Sequence, residues 1–364
     1  MKDFYKNKTV LVTGHTGFKG SWLTKWLNLM GAKVIGVSLD IPTSPSNFEV
    51  SDLAGDVNDI RFDLRDLQAV KKTLNDYQPE IVFHLAAQAL VKFSYENPVE
   101  TMTTNAIGTL NVLEALREYS GNITAVMITS DKAYDNVEWE RGYRETDSIG
   151  GKDIYSASKG MAELAIKGYF ESYFRDKDNI RIGISRAGNV IGGGDWANDR
   201  IVPDCMRSWS EGREVEIRNP AATRPWQHVL EPLSGYLALG YALSQETALH
   251  GEAFNFGPPS TQDHSVSDLI NEMAIHWDNI SWKDISAKKQ EFHEAGLLKL
   301  NCDKALAFLQ WKPTLNFKQT VEMTVSWYKN YYQNNNTSMK EFGSSQIDLY
   351  CKLAREQDIR WTND

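Results

Sequence analysis

Three glycines spaced GxxGxxG, between an apolar run and an amphipathic segment, constrain this chain more than any other feature. They are Gly14, Gly17 and Gly20. The β-branched run 9–12 before them predicts a strand, and apolar residues at helical spacing over 21–30 predict a helix. Glycines at such a turn let the backbone approach a pyrophosphate, which then lies on the N–H groups of the helix N-terminus. The turn therefore predicts a dinucleotide site, with an ordinary glycine-rich turn as the alternative.

The first half of the sequence alternates short apolar runs with longer amphipathic stretches. This alternation is typical of repeated βαβ units and predicts a parallel sheet with helices on both faces. The fold expected is α/β, a Rossmann-type doubly wound parallel sheet with a smaller C-terminal α/β substrate lobe. The other main predicted strands are 33–38, 81–83, 123–129 and 180–185, and the other predicted helices are 66–77, 98–116 and 155–174.

The composition changes after about Asn189, where glycines and prolines cluster. We expect residues 1–188 to form the dinucleotide-binding domain, with a late return of the chain near 225–260. Residues 189–335 should form most of the substrate lobe. The polar stretch 333–338 is typical of a linker, and it leads into a C-terminal extension, 336–364. Within that extension, residues 346–355 predict one more amphipathic helix.

Charge and cysteine usage narrow the class of protein. The net charge of −9 argues against a nucleic-acid-binding protein, which would carry a basic face. The three cysteines lie far apart and form no CxxC pair, so neither a disulfide framework nor a metal site is predicted. The polar start of the chain predicts no signal peptide, and no apolar run approaches the roughly 20 residues of a membrane span. We expect a cytoplasmic protein that does not bind membranes.

Acidic residues near the predicted strand ends suggest how the cofactor is held. Asp40 lies about 20 residues after the last glycine, where an acid binds the adenosine ribose and selects NAD. A simple turn residue before Pro42 is the competing interpretation of Asp40. Asp63, followed by Leu64, is a candidate contact for the adenine. The remaining candidate cofactor contacts are Phe18, Lys19, Ala86, Ala87 and Gln88.

A YxxxK pair provides the candidate chemistry. Tyr155 and Lys159 are four residues apart on a predicted helix and share a face. A phenol has a pKa near 10 and is a weak base at neutral pH unless a cation stabilises its anion, which Lys159 can do. The strand ending at residue 129 brings Ser130 to the same sheet edge, where its hydroxyl can bind the reacting alcohol. Asp131 and Lys132 add an acid and an amine, two further groups that can transfer protons. The alternative interpretation is that these two residues form a surface ion pair in a turn.

These motifs resemble the extended branch of the short-chain dehydrogenase/reductase superfamily. Within that branch, three stretches resemble the bacterial CDP-glucose 4,6-dehydratases, which supply 6-deoxy sugars for lipopolysaccharide O-antigens. The stretches are TSDK at 129–132, RAGNVIGGGDW at 186–196 and TRPWQHV at 223–229. The resemblance covers nearly the whole chain. In the related dTDP-glucose enzymes a glutamate usually occupies the position of Lys132 and is regarded as the base that acts at C5.

The resemblance implies a lyase with bound NAD, acting on a CDP-sugar. Tyr155 would take the proton of the sugar 4-hydroxyl, and protonated Asp131 would assist loss of the 6-hydroxyl. Lys132 as a neutral amine, or another group, would remove the C5 proton. Arg224 and Asn189 match residues near the diphosphate, and Arg200 is a weaker substrate-binding candidate. Arg186 has two equal interpretations, substrate contact and structural ion pair.

Alternative interpretations stay open for both the oligomeric state and the reaction. The helices 98–116 and 155–174 carry apolar stripes on which relatives assemble, so a homodimer or homotetramer is expected, although burial within one subunit explains the stripes equally well. A nucleotide-sugar 4-epimerase or 4-reductase would need Tyr155, Lys159 and Ser130 without the neighbouring acid and amine. A catalytically silent NAD-sensing or scaffold protein is the third candidate.

Overall fold

The computed structural model describes residues 1–287, 297–334 and 337–362. The strands are β1 (Thr9–Thr13), β2 (Lys33–Ser38), β3 (Asn58–Arg61), β4 (Ile81–His84), β5 (Ile123–Ile128), β6 (Ile180–Arg186), β7 (Val190–Ile191), β8 (Val215–Ile217), β9 (Thr223–Arg224), β10 (Gln227–His228), β11 (Ala253–Asn255), β12 (His264–Ser265) and β13 (Trp282–Asp284). The α-helices are α1 (Lys2–Tyr5), α2 (Phe18–Leu29), α3 (Asn47–Val50), α4 (Leu67–Tyr77), α5 (Val91–Glu96), α6 (Pro98–Met102), α7 (Gly108–Glu118), α8 (Ile154–Tyr169), α9 (Ile201–Ser210), α10 (Leu230–Gln245), α11 (Val266–His276), α12 (Asp303–Leu309), α13 (Phe317–Gln333) and α14 (Met339–Glu356).

Seven strands form one parallel sheet in the order β11-β6-β5-β4-β1-β2-β3. The first strand lies inside the sheet, where Val12 is opposite Gly36 on β2 and Phe83 on β4. The strand order reverses direction between β1 and β4, which is the crevice where Rossmann folds bind dinucleotides. The predicted Rossmann-type doubly wound sheet is confirmed.

The central strands are mostly apolar because helices cover both faces of the sheet. Every residue of β5 is buried. One core cluster joins the sheet to α2 and α10, with Trp22 and Leu237 among its members, and a second joins it to α4, α7 and α8, with Leu116 and Ile166 among its members. The two clusters fix the carboxyl edge of the sheet, where the candidate site lies.

The chain returns to the sheet late. Helix α10 packs on β5 and β6, and β11 then pairs in parallel with β6, placing Ala253 opposite Ile184. The smaller lobe contains α9 and α11 with the two-stranded pairs β7–β10, β8–β13 and β9–β12. The domain boundaries 1–188, 189–335 and 336–364 stay predictions.

Three predicted helices differ from those observed. The helix predicted over 98–116 is interrupted by a π-helical turn at Thr103–Ile107, and the helix predicted over 155–174 ends at Tyr169, with a second π-helical turn at Phe170–Phe174. The C-terminal helix is longer than the predicted 346–355. Part of the predicted linker 333–338, residues 335–336, lies outside the described residues.

The C-terminal helix α14 packs against α13 and α2. The amine of Lys25 on α2 donates to the carbonyl of Lys340 at 2.6 Å, at the start of α14. Tyr350 on α14 donates to the buried carboxylate of Glu231 at 2.7 Å. These contacts attach the extension to the main core. Among the described residues, the helices include none that is long and apolar enough to cross a membrane.

Candidate active site

The glycine turn joins β1 to α2 at the crevice of the sheet. Gly14 has a φ of +75°, and a Cβ there would lie 2.8 Å from the backbone of Ala86. A Cβ at Gly20 would overlap the carbonyl of Gly14. These positions require glycine because the turn is tight and approaches β4 closely. The open backbone leaves room for a pyrophosphate.

The N-terminus of α2 offers donors at this turn. Gly17 is the N-cap residue and no side chain caps the helix. The first N–H groups of a helix have no partner within it, so those of Phe18, Lys19 and Gly20 are free to bind an anion. The arrangement fits the pyrophosphate of a dinucleotide.

The adenosine end of the crevice contains Asp40, whose side chain is exposed just beyond β2. Its backbone carbonyl accepts a hydrogen bond from Thr16 Oγ1 at 2.6 Å, which fixes the end of the strand against the glycine turn. The carboxylate is thus free to reach a ribose. Selection of NAD by Asp40 stays a prediction.

Asp63 and Leu64 follow β3 at the same edge. The guanidinium of Arg65 binds the Asp63 carboxylate, with Nε at 3.0 Å from Oδ1 and 2.9 Å from Oδ2. The hydrogen bond from Arg65 is the main cause of the lowered pKa of Asp63. Leu64 is half-buried, and its carbonyl accepts from Asn111 at 2.9 Å. The ion pair competes with the predicted adenine contact of Asp63, which no observation here tests.

The segment after β4 is held by Asn105, a residue that sequence reasoning missed. Its Oδ1 accepts from the Gln88 N–H at 2.7 Å, and its Nδ2 donates to Ser158 Oγ on α8 at 2.8 Å. Ala86 and Ala87 are half-buried and leave space above the sheet. Asn105 lies in the π-helical turn, and such turns recur at functional sites. It ties the predicted cofactor contacts to the predicted catalytic helix.

Tyr155 and Ser130 meet at the carboxyl edge of the sheet. Asp153 caps α8 by accepting from the Ser156 N–H at 2.9 Å, which places Tyr155 in the first turn of the helix. Burial raises the pKa of Tyr155 to about 12, and a hydrogen bond with Ser130 and the charge of Arg200 lower it. Ser130 and Tyr155 are both more than nine-tenths buried. The structure therefore brings these two side chains together, and their role in proton transfer stays a prediction.

Asp131 lies beside this pair. Ser130 Oγ donates to its Oδ1 at 2.9 Å, and Asn189 Nδ2 donates to its Oδ2 at 3.3 Å. A Cβ at Gly188 would overlap this carboxylate, so glycine is required for the approach of the two segments. Asn189 has a φ of +52°, a strained backbone that positions its amide. The structure therefore places Asn189 on the predicted acid.

Lys132 lies in the turn of 3₁₀-helix that follows β5. Its N–H donates to Ser130 Oγ at 3.2 Å, and its side chain is half-buried. Its amine makes no ion pair with any residue of the described ranges. It is therefore available to a substrate, and the role at C5 stays a prediction.

Lys159 lies one turn after Tyr155. Burial lowers the pKa of Lys159 to about 8, and the charge of Glu163 raises it. Glu163 is bound by Arg186, with Nε at 2.8 Å from Oε1, and by Thr129 Oγ1 at 2.5 Å. Arg186 thus acts as a structural ion-pair partner. This network connects α8 to the ends of β5 and β6.

A second lysine, Lys19, enters the site. The sequence predicted it only as a contact of the cofactor turn. The amine of Lys19 lies 3.4 Å from the hydroxyl of Tyr236. Burial lowers its pKa to about 8, while Asp131 raises it and Lys159 and Arg200 lower it further. The GxxGxxG pattern gave no sign that this side chain reaches the reaction centre.

Two of the predicted substrate residues lie in the smaller lobe. Arg200 precedes α9 and binds Asp195 at 2.7 Å, and its charge acts on Tyr155. Arg224 on β9 is half-buried, and its Nη1 donates to the carbonyl of Thr223 at 2.8 Å. The structure brings Arg200 to the reaction centre with Asn189. A diphosphate contact by Arg224 stays a prediction.

His15 is a further residue that sequence reasoning missed. It stands inside the glycine turn and is fully buried. Its ring nitrogens lie 3.0 Å from Asp59 Oδ1 and 2.9 Å from Ser38 Oγ. Burial lowers the pKa of His15. The ring links the turn to β2 and β3, and only its position inside the GxxGxxG segment could have drawn attention to it.

Comparisons with known proteins show which family and which fold the chain resembles. Residues 11–324 match the family described as GDP-mannose 4,6 dehydratase. The CDP-glucose 4,6-dehydratase of Salmonella typhimurium is 47% identical over 334 residues, covering 90% of this chain and 92% of that protein. The CDP-paratose 2-epimerase of Salmonella typhi is 23% identical, covering 87% and 98%. A UDP-glucose 4-epimerase structure from Stenotrophomonas maltophila superposes with a TM-score of 0.78 at 20% identity, covering 89% and 99%. The last likeness shows the fold alone.

Proposed function

The chain belongs to the GDP-mannose 4,6 dehydratase family, and on that premise we propose that it is a CDP-glucose 4,6-dehydratase. The enzyme is a hydro-lyase that converts CDP-D-glucose to CDP-4-keto-6-deoxy-D-glucose. The product would enter deoxysugar and O-antigen biosynthesis. A 4-epimerase or 4-reductase is the less favoured alternative.

The observation that carries the proposal is the acid beside the phenol. An epimerase needs Tyr155, Ser130 and Lys159 only. Here Ser130 Oγ donates to buried Asp131 at 2.9 Å, so an acid lies next to the hydroxyl that binds the reacting alcohol. An acid at this place can assist a leaving hydroxyl, which dehydration requires and epimerisation does not.

The residues of the crevice fit NAD. The strained glycine turn and the uncapped N-terminus of α2 suit a pyrophosphate, and the exposed Asp40 carboxylate suits the adenosine ribose. When bound, NAD would supply the hydride acceptor for oxidation at C4 and the hydride donor for reduction at C6. Lys159 would hold the nicotinamide ribose, and Phe18, Ala86 and Ala87 would line the pocket.

Tyr155 takes the proton of the sugar 4-hydroxyl. Ser130 binds the same hydroxyl. Burial raises the pKa of the phenol, while the hydrogen bond with Ser130 and the charge of Arg200 lower it. Groups on both lobes therefore offset part of the cost of forming the buried phenolate. The product of this step is a 4-ketone, which acidifies the proton at C5.

Loss of water follows at C5 and C6. We assign removal of the C5 proton to Lys132, with the C–H electrons forming the C5=C6 double bond. Asp131 donates a proton to the 6-hydroxyl, which leaves as water. Lys132 would return the proton to C5 as hydride adds at C6. Asn189, which donates to the Asp131 carboxylate at 3.3 Å, holds the acid in place.

The smaller lobe would bind the nucleotide diphosphate. Arg224 carries a planar guanidinium suited to a diphosphate, and Arg200 and Asn189 lie beside the reaction centre. The net charge of −9 makes local cations of this kind necessary for an anionic substrate. Neither nucleic acid nor membrane enters this function.

Assembly and location are inferred from surface features. Helices α6 and α8 pack side by side and expose apolar side chains, among them Val99 at 74% and Leu164 at 61%. Exposed apolar faces of this kind favour association, so we propose a homodimer, or a homotetramer built from it. The free cysteines, Cys205, Cys302 and Cys351, support a cytoplasmic location.

A panel of CDP-, dTDP-, UDP- and GDP-glucose with catalytic NAD tests the proposal. A 4-keto-6-deoxy product formed fastest from CDP-glucose is expected. Formation of CDP-galactose, or net accumulation of NADH, would establish an epimerase or a simple dehydrogenase instead. Bound NAD without turnover of any nucleotide sugar would point to a sensing or scaffold role.

A further inference from the structure

Helix α9 carries a carboxylate that the proposed reaction does not use. The helix starts directly after Arg200, whose charge acts on Tyr155. Residues four apart share a face, so Asp204 lies one turn, about 6 Å along α9, from Arg200 and on the same side of the helix. A sugar bound at Tyr155 needs a wall along which its nucleotide extends, and α9 provides one. Asp204 is thus placed for the nucleotide end of the substrate.

Asp204 has unused hydrogen-bonding capacity. Its side chain is 35% exposed, and its nearest cation is Arg207 at 3.8 Å. Burial raises the pKa of Asp204 to about 6. Within the described ranges, no donor hydrogen-bonds to its carboxylate. A partly buried carboxylate without donors is costly, and a ligand that supplies an N–H group removes that cost.

A guanidinium of a different element lies near this carboxylate. Arg218 follows β8, and its charge lowers the pKa of Asp204. It lies 3.8 Å from Asp199 and makes no hydrogen bond with the residues that the structure describes. An acceptor on α9 and a group of donors after β8 therefore stand close together, both without hydrogen-bonding partners.

This acceptor–donor arrangement matches one pyrimidine. Cytosine presents an N4 amine that donates, beside N3 and O2, which accept. A carboxylate accepts from N4, and a guanidinium donates to N3 and O2. Uracil and thymine present an O4 acceptor and an N3–H donor instead, so O4 would face the carboxylate and be repelled.

We infer that Asp204, with Arg218 beside it, selects the cytosine base by accepting a hydrogen bond from its N4 amine. The inference deepens the proposed function and rests on it for the orientation of the substrate. It identifies a physical source for the preference for CDP over UDP and dTDP.

Binding of CDP and UDP to the purified full chain, measured by calorimetry, tests this without turnover. The wild type should bind CDP more tightly than UDP. Asp204→Asn should reduce the ratio of the two affinities by roughly 10- to 100-fold, the contribution of one base-specific hydrogen-bonded pair. The amide also supplies a donor for O4, so the affinity for UDP should rise.

Glu211→Gln is the matched control. It removes an equal charge from the C-terminal end of the same helix, where Glu211 pairs with Arg213, and should change the affinities for CDP and UDP alike. A ratio that stays unchanged in folded Asp204→Asn and Asp204→Ala, or a wild type that does not prefer CDP, would overturn the inference. A wild type that prefers CDP through Asp204 but does not turn over CDP-glucose would instead refute the proposed function and leave the base assignment standing.

Discussion

Replacing Glu163 by glutamine should destabilise the protein strongly. Glu163 is 3% exposed, and its carboxylate is bound by Arg186 at 2.8 and 3.0 Å and by Thr129 at 2.5 Å. Arg186 is 5% exposed, so the substitution leaves a buried guanidinium without its counter-charge. Removing one partner of a buried ion pair costs about 3–5 kcal/mol. The free energy of unfolding should fall by about that amount.

Urea denaturation followed by tryptophan fluorescence measures this loss. The double variant Glu163→Gln/Arg186→Met should lose much less than the sum of the two single variants, because no charge stays buried alone. Glu171→Gln, which breaks an exposed ion pair with Arg175, should scarcely move the midpoint. A loss below about 1 kcal/mol for Glu163→Gln, the range of exposed pairs, would refute the reasoning.

The same variant has a second readout at Lys159. The charge of Glu163 raises the pKa of Lys159, which burial lowers to about 8. Without that charge the ammonium loses its proton at lower pH. Because the reaction needs the ammonium, the alkaline decline of kcat with pH should move to lower pH. An unmoved decline would mean that Lys159 does not control it.

Three further predictions concern the cofactor turn, the base and the core. Gly14→Ala places a methyl group 2.8 Å from the backbone of Ala86, at a residue whose φ is +75°. NAD binding, measured by equilibrium titration, should therefore be lost. The control Gly55→Ala, where the added methyl group meets open space, should bind NAD normally. Lys132→Ala should still reduce bound NAD with CDP-glucose, seen as nicotinamide absorbance, but should lose solvent deuterium exchange at C5; undiminished exchange would rule Lys132 out as the base. Burial raises the pKa of Glu231 from 4.5 to about 7, so its ionisation weakens the fold as pH rises across that interval. Glu231→Gln should flatten the decrease in unfolding free energy between these pH values, and equal slopes in both proteins would contradict the assignment.

Local signals in the sequence were sufficient to predict the main sheet and to bring Ser130 and Tyr155 together. The glycine turn, the β-branched runs and the YxxxK spacing all depend on residues close together in the chain, and each predicted the element that the structure contains. Ser130 and Tyr155 could be brought together because the carboxyl ends of parallel strands share one edge of the sheet.

Long-range contacts could not be predicted in this way. The bond from Thr129 to Glu163 and the action of Arg200 on Tyr155 join segments whose spacing carries no pattern. The charge of Lys19 at the reaction centre depends on the direction of a flexible side chain, which a motif does not specify. The π-helical turns could not be predicted either, because one extra residue in a helical turn hardly changes the apolar periodicity.

Transfer of hydrogen within one substrate molecule tests the dehydratase assignment most directly. CDP-glucose labelled with deuterium at C4 is incubated with the enzyme and unlabelled NAD, and the product is examined by NMR and mass spectrometry. The dehydratase reaction predicts deuterium at C6 of a 4-keto-6-deoxy sugar, with none released to the cofactor pool. Deuterium retained at C4 of a galactose product, or recovered in free NADH, would contradict it.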